Sequence, residues 1–153
     1  MAYLSSQGHE VRGLDISKSV SDVILRRYGL TVEIEDLMAF SLRESGSWDA
    51  VIMRHVLEHF ESPIAALRCA SKLLRLGGRL YVAVPNMDSW HRKWSGWSGY
   101  ESYHLHFFGQ SLLRKGLDFA RLGAGILTTP FRLVQVASGR GEELFALAIK
   151  GAE

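Results

Sequence analysis

The sequence predicts an α/β fold with a mostly parallel sheet that ends in an antiparallel hairpin. Residues 50–53 and 80–84 are two short apolar runs on either side of a helical segment. Nearly continuous apolar strands joined by a crossover helix indicate a parallel sheet that is covered on both faces. Residues 131–136 and 143–149 are predicted as strands, and the glycines of residues 139–141 between them are typical of a hairpin turn. A plain dinucleotide-binding domain is not expected to end in such a hairpin.

The crossover helix is predicted to have clear ends. Ser62 is a favourable N-cap, and Pro63 suits the first helical position because its missing N–H is not needed there. Gly77 and Gly78 are predicted to close the helix, since glycine takes the left-handed conformation of a C-cap at little cost. Four apolar residues recur between these ends at helical spacing: Ile64, Leu67, Ala70 and Leu74.

The other elements are predicted in chain order. A helix over residues 1–7 is stopped by Gly8, and a second helix is capped by Ser17 and stopped by Gly29. The apolar face of this second helix is predicted to consist of Val20, Val23, Ile24 and Tyr28. The remaining elements are strands over residues 10–16 and 31–34, a turn over residues 45–47 and a helix over residues 111–122.

Length and composition indicate one globular domain over residues 1–153. The chain is 47% hydrophobic and 22% charged, and its net charge of +2 gives no electrostatic reason to expect nucleic acid or an anionic membrane as a partner. No apolar run approaches the roughly 18 residues of a membrane span, and the N-terminus lacks the pattern of a signal peptide. The single cysteine, Cys69, cannot form an internal disulfide, which favours a reducing, cytoplasmic location. The sequence leaves open whether the chain forms a homo-oligomer.

The central stretch carries a family resemblance in four segments. They are residues 49–52 (DAVI), 55–59 (HVLEH), 73–78 (LLRLGG) and 84–86 (VPN). In combination they resemble the class I S-adenosylmethionine-dependent methyltransferases, and more narrowly the small-molecule branch that includes quinone- and sugar-modifying enzymes. This resemblance implies a Rossmann-like fold, S-adenosylmethionine as cofactor and a small-molecule substrate.

The resemblance also implies which residues bind the cofactor. Asp15, at the end of a strand, would accept hydrogen bonds from both ribose hydroxyls, and Ile16 follows it in the same family segment. Asp36 would accept a hydrogen bond from the adenine amino group, and Leu37 would lie near the ring. The backbone of Met53, Arg54 and His55 would border the methionine portion. Two plainer interpretations stay open, namely that Asp15 only caps the following helix and that Asp36 is only a solvated surface residue.

One family element is absent from the sequence. The resemblance implies a first strand that ends in an acidic residue and a Gly-x-Gly-x-Gly turn, but Gly8 is the only glycine before Gly13. The missing strand would be the centre of the sheet, between the strands at Val11 and Val51. We therefore expect an N-terminally shortened methyltransferase domain, because the gap would leave unpaired backbone groups.

Candidate catalytic residues follow the strand at residues 50–53. His55, Glu58 and His59 have i, i+3, i+4 spacing, so one helical turn would place them on the same side. His104 and His106 alternate along a later extended segment and would point the same way. The predicted catalytic set is His55, Glu58, His59 and His106.

Three interpretations of these residues compete. In the first, Glu58 and His59 only orient the loop and satisfy backbone groups. In the second, His55, His59 or His106 is the base that deprotonates the acceptor. In the third, a divalent metal is held by His55, Glu58, His59 and a histidine from residues 104–106, as in a metal-dependent branch with a Glu-x-x-Glu-His segment. His55 stands where that branch has its first glutamate, and no residue is assigned as a metal ligand on this basis.

Residues 87–106 are predicted to form a substrate cover. Trp90, Trp94 and Trp97 lie within eight residues and could form an apolar or sugar-stacking wall, or could equally anchor a loose loop on the core.

The predicted function is methyl transfer to a small molecule, with O-methylation favoured over N- or C-methylation. The first alternative is a non-catalytic binding module of the same fold. A nicotinamide-dependent enzyme is disfavoured because the sequence has no Gly-x-Gly-x-x-Gly.

Overall fold

The chain forms two compact units in the computed structural model, which describes residues 1–88, 103–122, 131–137 and 143–151. The first unit is Met1–Arg43 and the second is Glu44–Glu153. The predicted hairpin turn at residues 139–141 lies outside the described residues, as do Trp90, Trp94 and Trp97. Within the described ranges, every helix is too short or too polar to cross a bilayer.

The first unit has two short parallel strands and three helices. They are α1 (Ala2–Ser6), β1 (Gly13–Asp15), α2 (Lys18–Tyr28), β2 (Val32–Ile34) and α3 (Leu37–Arg43). Strand β1 is shorter than the predicted residues 10–16, because only its three residues find pairing partners on β2. Helix α3 was not predicted, although Asp36 is its N-cap: Asp36 Oδ1 accepts hydrogen bonds from the N–H groups of Met38 and Ala39.

The glycine signals of this unit are confirmed, but the apolar face predicted for α2 is not buried. Gly29 ends α2 in the left-handed conformation, and Gly8 after α1 also has positive φ. Helix α2 has no buried residue, and Val20, Val23 and Tyr28 of its predicted apolar face are exposed. Helical periodicity shows which residues share a face, but burial of that face requires a partner.

The second unit contains the larger sheet. Its elements are β3 (Trp48–Arg54), a 3-10 turn (Leu57–His59), α4 (Pro63–Leu73), β4 (Leu74–Pro85), α5 (Gln110–Leu122), β5 (Phe131–Ala137) and β6 (Glu143–Lys150). The strand order is β3-β4-β6-β5, with β3 parallel to β4, and with β6 antiparallel to both β4 and β5. The predicted α/β class with a C-terminal antiparallel hairpin is confirmed.

Helix α4 begins as predicted but ends earlier. Ser62 Oγ accepts a hydrogen bond from the Ala65 N–H, and Pro63 is the first helical residue. The helix ends at Leu73, and Leu74 is already extended because it pairs with Trp48 at the start of the β3–β4 ladder. The prediction that Gly77 and Gly78 close α4 is therefore wrong, although Gly77 does have a positive φ of 75°.

The core of the second unit lies around β4. Its central residues, Leu80, Val82, Ala83 and Val84, are fully buried. Helices α4 and α5 pack together, and Leu67 of α4 lies close to Gly116 of α5. Within the described residues, β1 pairs only with β2, and β3 pairs only with β4. Each of the two sheets therefore includes a strand with one unpaired edge.

Candidate active site at the carboxyl edge of the larger sheet

The candidate active site lies where the parallel strands β3 and β4 end. Because the two strands run in the same direction, Arg54 and Pro85 end them at the same edge of the sheet. Ligands of open α/β sheets bind at this edge. The chain turns immediately after β3 through Leu57–His59, so three of the predicted catalytic residues, His55, Glu58 and His59, directly follow the end of this strand.

Glu58 is the buried acid of this edge. Its side chain is 0% exposed, and neither carboxylate oxygen has a hydrogen-bond partner among the described residues. Its backbone oxygen accepts hydrogen bonds from the N–H groups of Leu105 and His106, at 2.9 and 3.1 Å. The backbone thus ties the later extended segment to the turn, while the carboxylate stays available for a charged or proton-donating partner. A buried ionised carboxylate without such a partner is costly.

Two histidines gather at Glu58. Glu58, His59 and His104 each offer one donor atom, and these atoms all lie within 4.8 Å of one another. His59 Nδ1 donates a hydrogen bond to the backbone oxygen of Tyr103 at 3.3 Å. In a neutral ring this leaves the lone pair on Nε2. We name Glu58, His59 and His104 the Glu-His-His cluster.

His55 also lies close to Glu58. Its Nδ1 lies 3.5 Å from Glu58 Oε1, and its Nε2 lies 2.6 Å from Oε1 of Glu143 on β6. Arg54 also contacts Glu143, at 3.1 Å. The pKa of Glu143 is lowered from its ordinary value, first by the hydrogen bond from His55 and then by that from Arg54.

The structure gives the two histidines of the extended segment different surroundings. His104 joins the Glu-His-His cluster, whereas His106 Nε2 donates to the backbone oxygen of Glu61 at 3.2 Å. His106 is in the predicted catalytic set, and Glu143 is not. Alternation alone could not select between two histidines of one extended segment, and Glu143 is remote in sequence. Its position as the first residue of the last strand was the available signal.

The cofactor residues predicted in the first unit lie at the ends of strands. Asp15 is the last residue of β1, and its Oδ1 accepts a hydrogen bond from the Ser17 N–H at 2.7 Å. Ile16 is 80% exposed beside it. Asp36 caps α3, and Leu37 is half-buried as the first residue of that helix. Both aspartates thus support local backbone, and their roles toward a cofactor stay predictions.

The cofactor residues predicted in the second unit end β3. Met53 is buried, and Arg54 and His55 are exposed. Met53 pairs with Val82, and the His55 N–H donates to the backbone oxygen of Ala83 at 2.9 Å. The backbone is therefore held firmly up to the residue where the strand ends.

Comparison with known proteins identifies the class. Residues 1–119 match a family described as "Methyltransferase domain". A ubiquinone biosynthesis O-methyltransferase of Burkholderia vietnamiensis (strain G4 / LMG 22486) is 32% identical over 90 residues, which are 56% of this chain and 39% of that protein. An uncharacterized 37.1 kDa protein in transposon TN4556 of Streptomyces fradiae is 30% identical over 152 residues, covering 90% of this chain and 44% of that protein. The matched region is thus less than half the length of these curated relatives.

Solved structures share the fold. A SAM-dependent methyltransferase of Thermotoga maritima, described as a possible histamine N-methyltransferase, has a TM-score of 0.71 at 19% identity, covering 97% of this chain and 76% of that chain. The 1,6-didemethyltoxoflavin-N1-methyltransferase of Burkholderia thailandensis, solved with S-adenosylhomocysteine and 1,6-didemethyltoxoflavin, has a TM-score of 0.68 at 18% identity, covering 99% and 65%. The fold is that of the class I S-adenosylmethionine-dependent methyltransferases. This chain belongs to the methyltransferase domain family, whose methyl donor is S-adenosylmethionine.

Proposed function

We propose that this chain transfers a methyl group from S-adenosylmethionine to a hydroxyl group of a small molecule. The observation that carries the proposal is the buried Glu58 carboxylate, which meets His55, His59 and His104 at the carboxyl edge of a methyltransferase sheet. Curated relatives named for ubiquinone biosynthesis are O-methyltransferases, which supports oxygen as the acceptor atom. Cys69 is a buried free thiol, which agrees with action in the cytoplasm.

The residues of the site can remove the acceptor proton. When bound, S-adenosylmethionine supplies a methyl group on a sulfonium, so positioning of the acceptor provides most of the acceleration. The acceptor oxygen would take this methyl group, S-adenosylhomocysteine would leave with the electrons of the broken carbon–sulfur bond, and the hydroxyl proton would pass to a histidine. His55 and His59 are the proposed bases, since Nδ1 of His55 and Nε2 of His59 carry the lone pairs. Glu58 would stabilise the imidazolium that forms, and His106 stays a candidate base nearby.

The predicted cofactor residues offer the hydrogen-bond acceptors and apolar surface that the cofactor requires. Asp15 uses Oδ1 for the Ser17 N–H, and Oδ2 makes no hydrogen bond to any described residue, so it can accept one from a ribose hydroxyl. We propose the same use of the free oxygen of Asp36 for the adenine amino group, with Ile16 and Leu37 offering apolar surface. The backbone of Met53, Arg54 and His55 would border the methionine portion.

A second mechanism is favoured by the Glu-His-His cluster itself. One carboxylate and two imidazoles within 4.8 Å form a donor set that suits a divalent cation, and the Glu58 oxygens, which make no hydrogen bond to a described residue, fit this use. Such a cation would act as a Lewis acid toward an acceptor oxygen. The residues that would hold it are Glu58, His59 and His104.

Calorimetric titration of S-adenosylhomocysteine tests the cofactor proposal. We expect the 153-residue chain to bind it and Asp15→Asn to bind it about tenfold more weakly, because the variant keeps the Oδ1 acceptor for Ser17 but loses a charge-assisted bond to ribose. Asp22→Asn, the same change on α2, is the matched control and should bind like the wild type. A folded wild-type chain that binds no S-adenosylhomocysteine would favour the non-catalytic module.

Release of S-adenosylhomocysteine in the presence of a panel of phenols, sugars and alcohols tests the reaction. We expect Glu58→Gln to lower kcat about 100-fold while the protein stays folded, because the change preserves volume and removes a buried charge.

Treatment with a chelator separates the two mechanisms. Activity that is lost and returns with Mg²⁺ or Mn²⁺ supports the cation, and activity that persists after chelation supports the histidine base. Methylation only at nitrogen would overturn the choice of acceptor.

A further inference from the structure

A fixed orientation of His55 is built into the end of β3. His55 has a φ of 50°, and the other described residues with positive φ are glycines. A residue with a Cβ takes this left-handed conformation at a cost, and it persists where the surroundings determine it. The His55 N–H is bonded to Ala83, and its ring lies between the carboxylates of Glu58 and Glu143.

Glu143 determines which ring nitrogen can act. The 2.6 Å contact joins Glu143 Oε1 to Nε2, and a carboxylate accepts, so Nε2–H donates. The lowered pKa of Glu143 keeps that acceptor ionised at neutral pH. In the neutral ring the lone pair is then on Nδ1, which faces the site at 3.5 Å from Glu58 Oε1.

The geometry points to Glu143 as a positioning residue that forms a carboxylate–histidine dyad with His55. Glu143 holds the ring and its Nε2–H tautomer, and Nδ1 of His55 is the atom presented to the acceptor. A carboxylate that sets the tautomer of a base from the far side of the ring is a general solution in catalysis. The positioning role rests on the proposed function, in which His55 takes the acceptor proton. The tautomer of His55 does not depend on that function.

The dyad connects two elements that are far apart in sequence. Glu143 is the first residue of β6 and lies opposite Pro85, the last residue of β4. The antiparallel hairpin therefore contributes a side chain to the same edge at which the parallel strands end. Arg54, 3.1 Å from the same carboxylate oxygen, limits the positions that Glu143 can take.

A long-range proton–nitrogen NMR spectrum of the histidine rings tests the tautomer. The 153-residue chain has six histidines, and His55→Asn identifies the His55 signals. At about pH 9, where imidazoles are neutral, we expect wild-type His55 as the Nε2–H form. Glu143→Gln should populate the Nδ1–H form, because the amide can turn its NH₂ toward Nε2. Glu143→Ala should give a mixture of the two forms. A wild-type Nδ1–H form, or a tautomer unaffected by both variants, would overturn the dyad.

Kinetics with catechol as the probe acceptor tests the positioning role. We expect Glu143→Gln to lower kcat about tenfold or more with an almost unchanged KM for S-adenosylmethionine. Glu33→Gln, the same change at another ion-paired strand glutamate, should leave both constants at wild-type values. An altered tautomer with unaltered kcat would overturn the role in the reaction. No turnover by the wild type, with the expected tautomer response, would contradict the proposed reaction and leave the dyad supported.

Discussion

The two compact units of this chain use similar local signals with different results. Helices α2 and α4 both have 11 residues, a serine at the N-cap and an apolar face. Yet α4 buries five residues and α2 buries none. In the first unit the fully or nearly buried apolar side chains are Val32 and Phe40, whereas in the second unit β4 alone contributes several.

This difference shows that periodicity and burial are separate properties. The sequence of α2 is sufficient to make an amphipathic helix, since a cap, a stop and a regular apolar face are all encoded locally. Stability comes mainly from the apolar area that neighbours remove from water. The second unit, which carries the candidate catalytic residues, is therefore expected to be the more stable of the two against unfolding.

The largest expected effect separates the two helix faces. Leu67→Ala in α4 should lower the free energy of unfolding by about 2–5 kcal/mol, because the side chain is 1% exposed and its loss leaves a cavity. Val23→Ala, on the apolar face of α2, should change it by no more than about 0.5 kcal/mol, because that valine is 48% exposed. Urea unfolding followed by circular dichroism measures both. Equal losses would show that α2 is as well packed as α4.

A smaller effect compares the two N-caps. Ser62→Ala should cost about 1 kcal/mol, because Ser62 Oγ accepts a hydrogen bond from the Ala65 N–H. Ser17→Ala should cost no more than a few tenths of a kcal/mol, since Ser17 Oγ contacts Ser19 Oγ and makes no cap hydrogen bond. Urea unfolding followed by circular dichroism measures both changes. A greater loss at Ser17 would contradict the observed cap geometry.

The smallest effect concerns pH and the edge of the second unit. The pKa of Glu143 is lowered in the folded state, chiefly by its hydrogen bond with His55. Its stabilising contribution is therefore complete above the ordinary glutamate pKa of about 4.3 and is lost as pH falls through the lowered folded value. The unfolding free energies of the wild type and Glu143→Gln should converge as the pH falls below about 4. Glu33→Gln is the matched control. If the difference in unfolding free energy between the wild type and Glu143→Gln did not change with pH, this linkage would be contradicted.

Much of the fold was predictable because it is encoded in neighbouring residues. The α4 N-terminus at Ser62-Pro63, the left-handed Gly29 after α2 and the strands that flank α4 all appear where capping and periodicity placed them. The end of α4 was wrong because pairing of Leu74 with Trp48, a contact across 26 positions, extends β4 backwards. Helix α3 was missed because its seven residues carry little periodic signal.

The candidate site divides in the same way. The resemblance of residues 49–86 to a known family predicted the methyltransferase class. The strand-end position of Asp15 and the i, i+3 relation that sets His55 beside Glu58 were predictable from the residues themselves, because both depend on local order. Only the tertiary structure decided that Glu58 is fully buried, that His104 joins it and that Glu143 holds His55. The reason is physical. Burial and side-chain partners depend on which distant segments the sheet brings to one edge, and a linear spacing carries no record of that assembly.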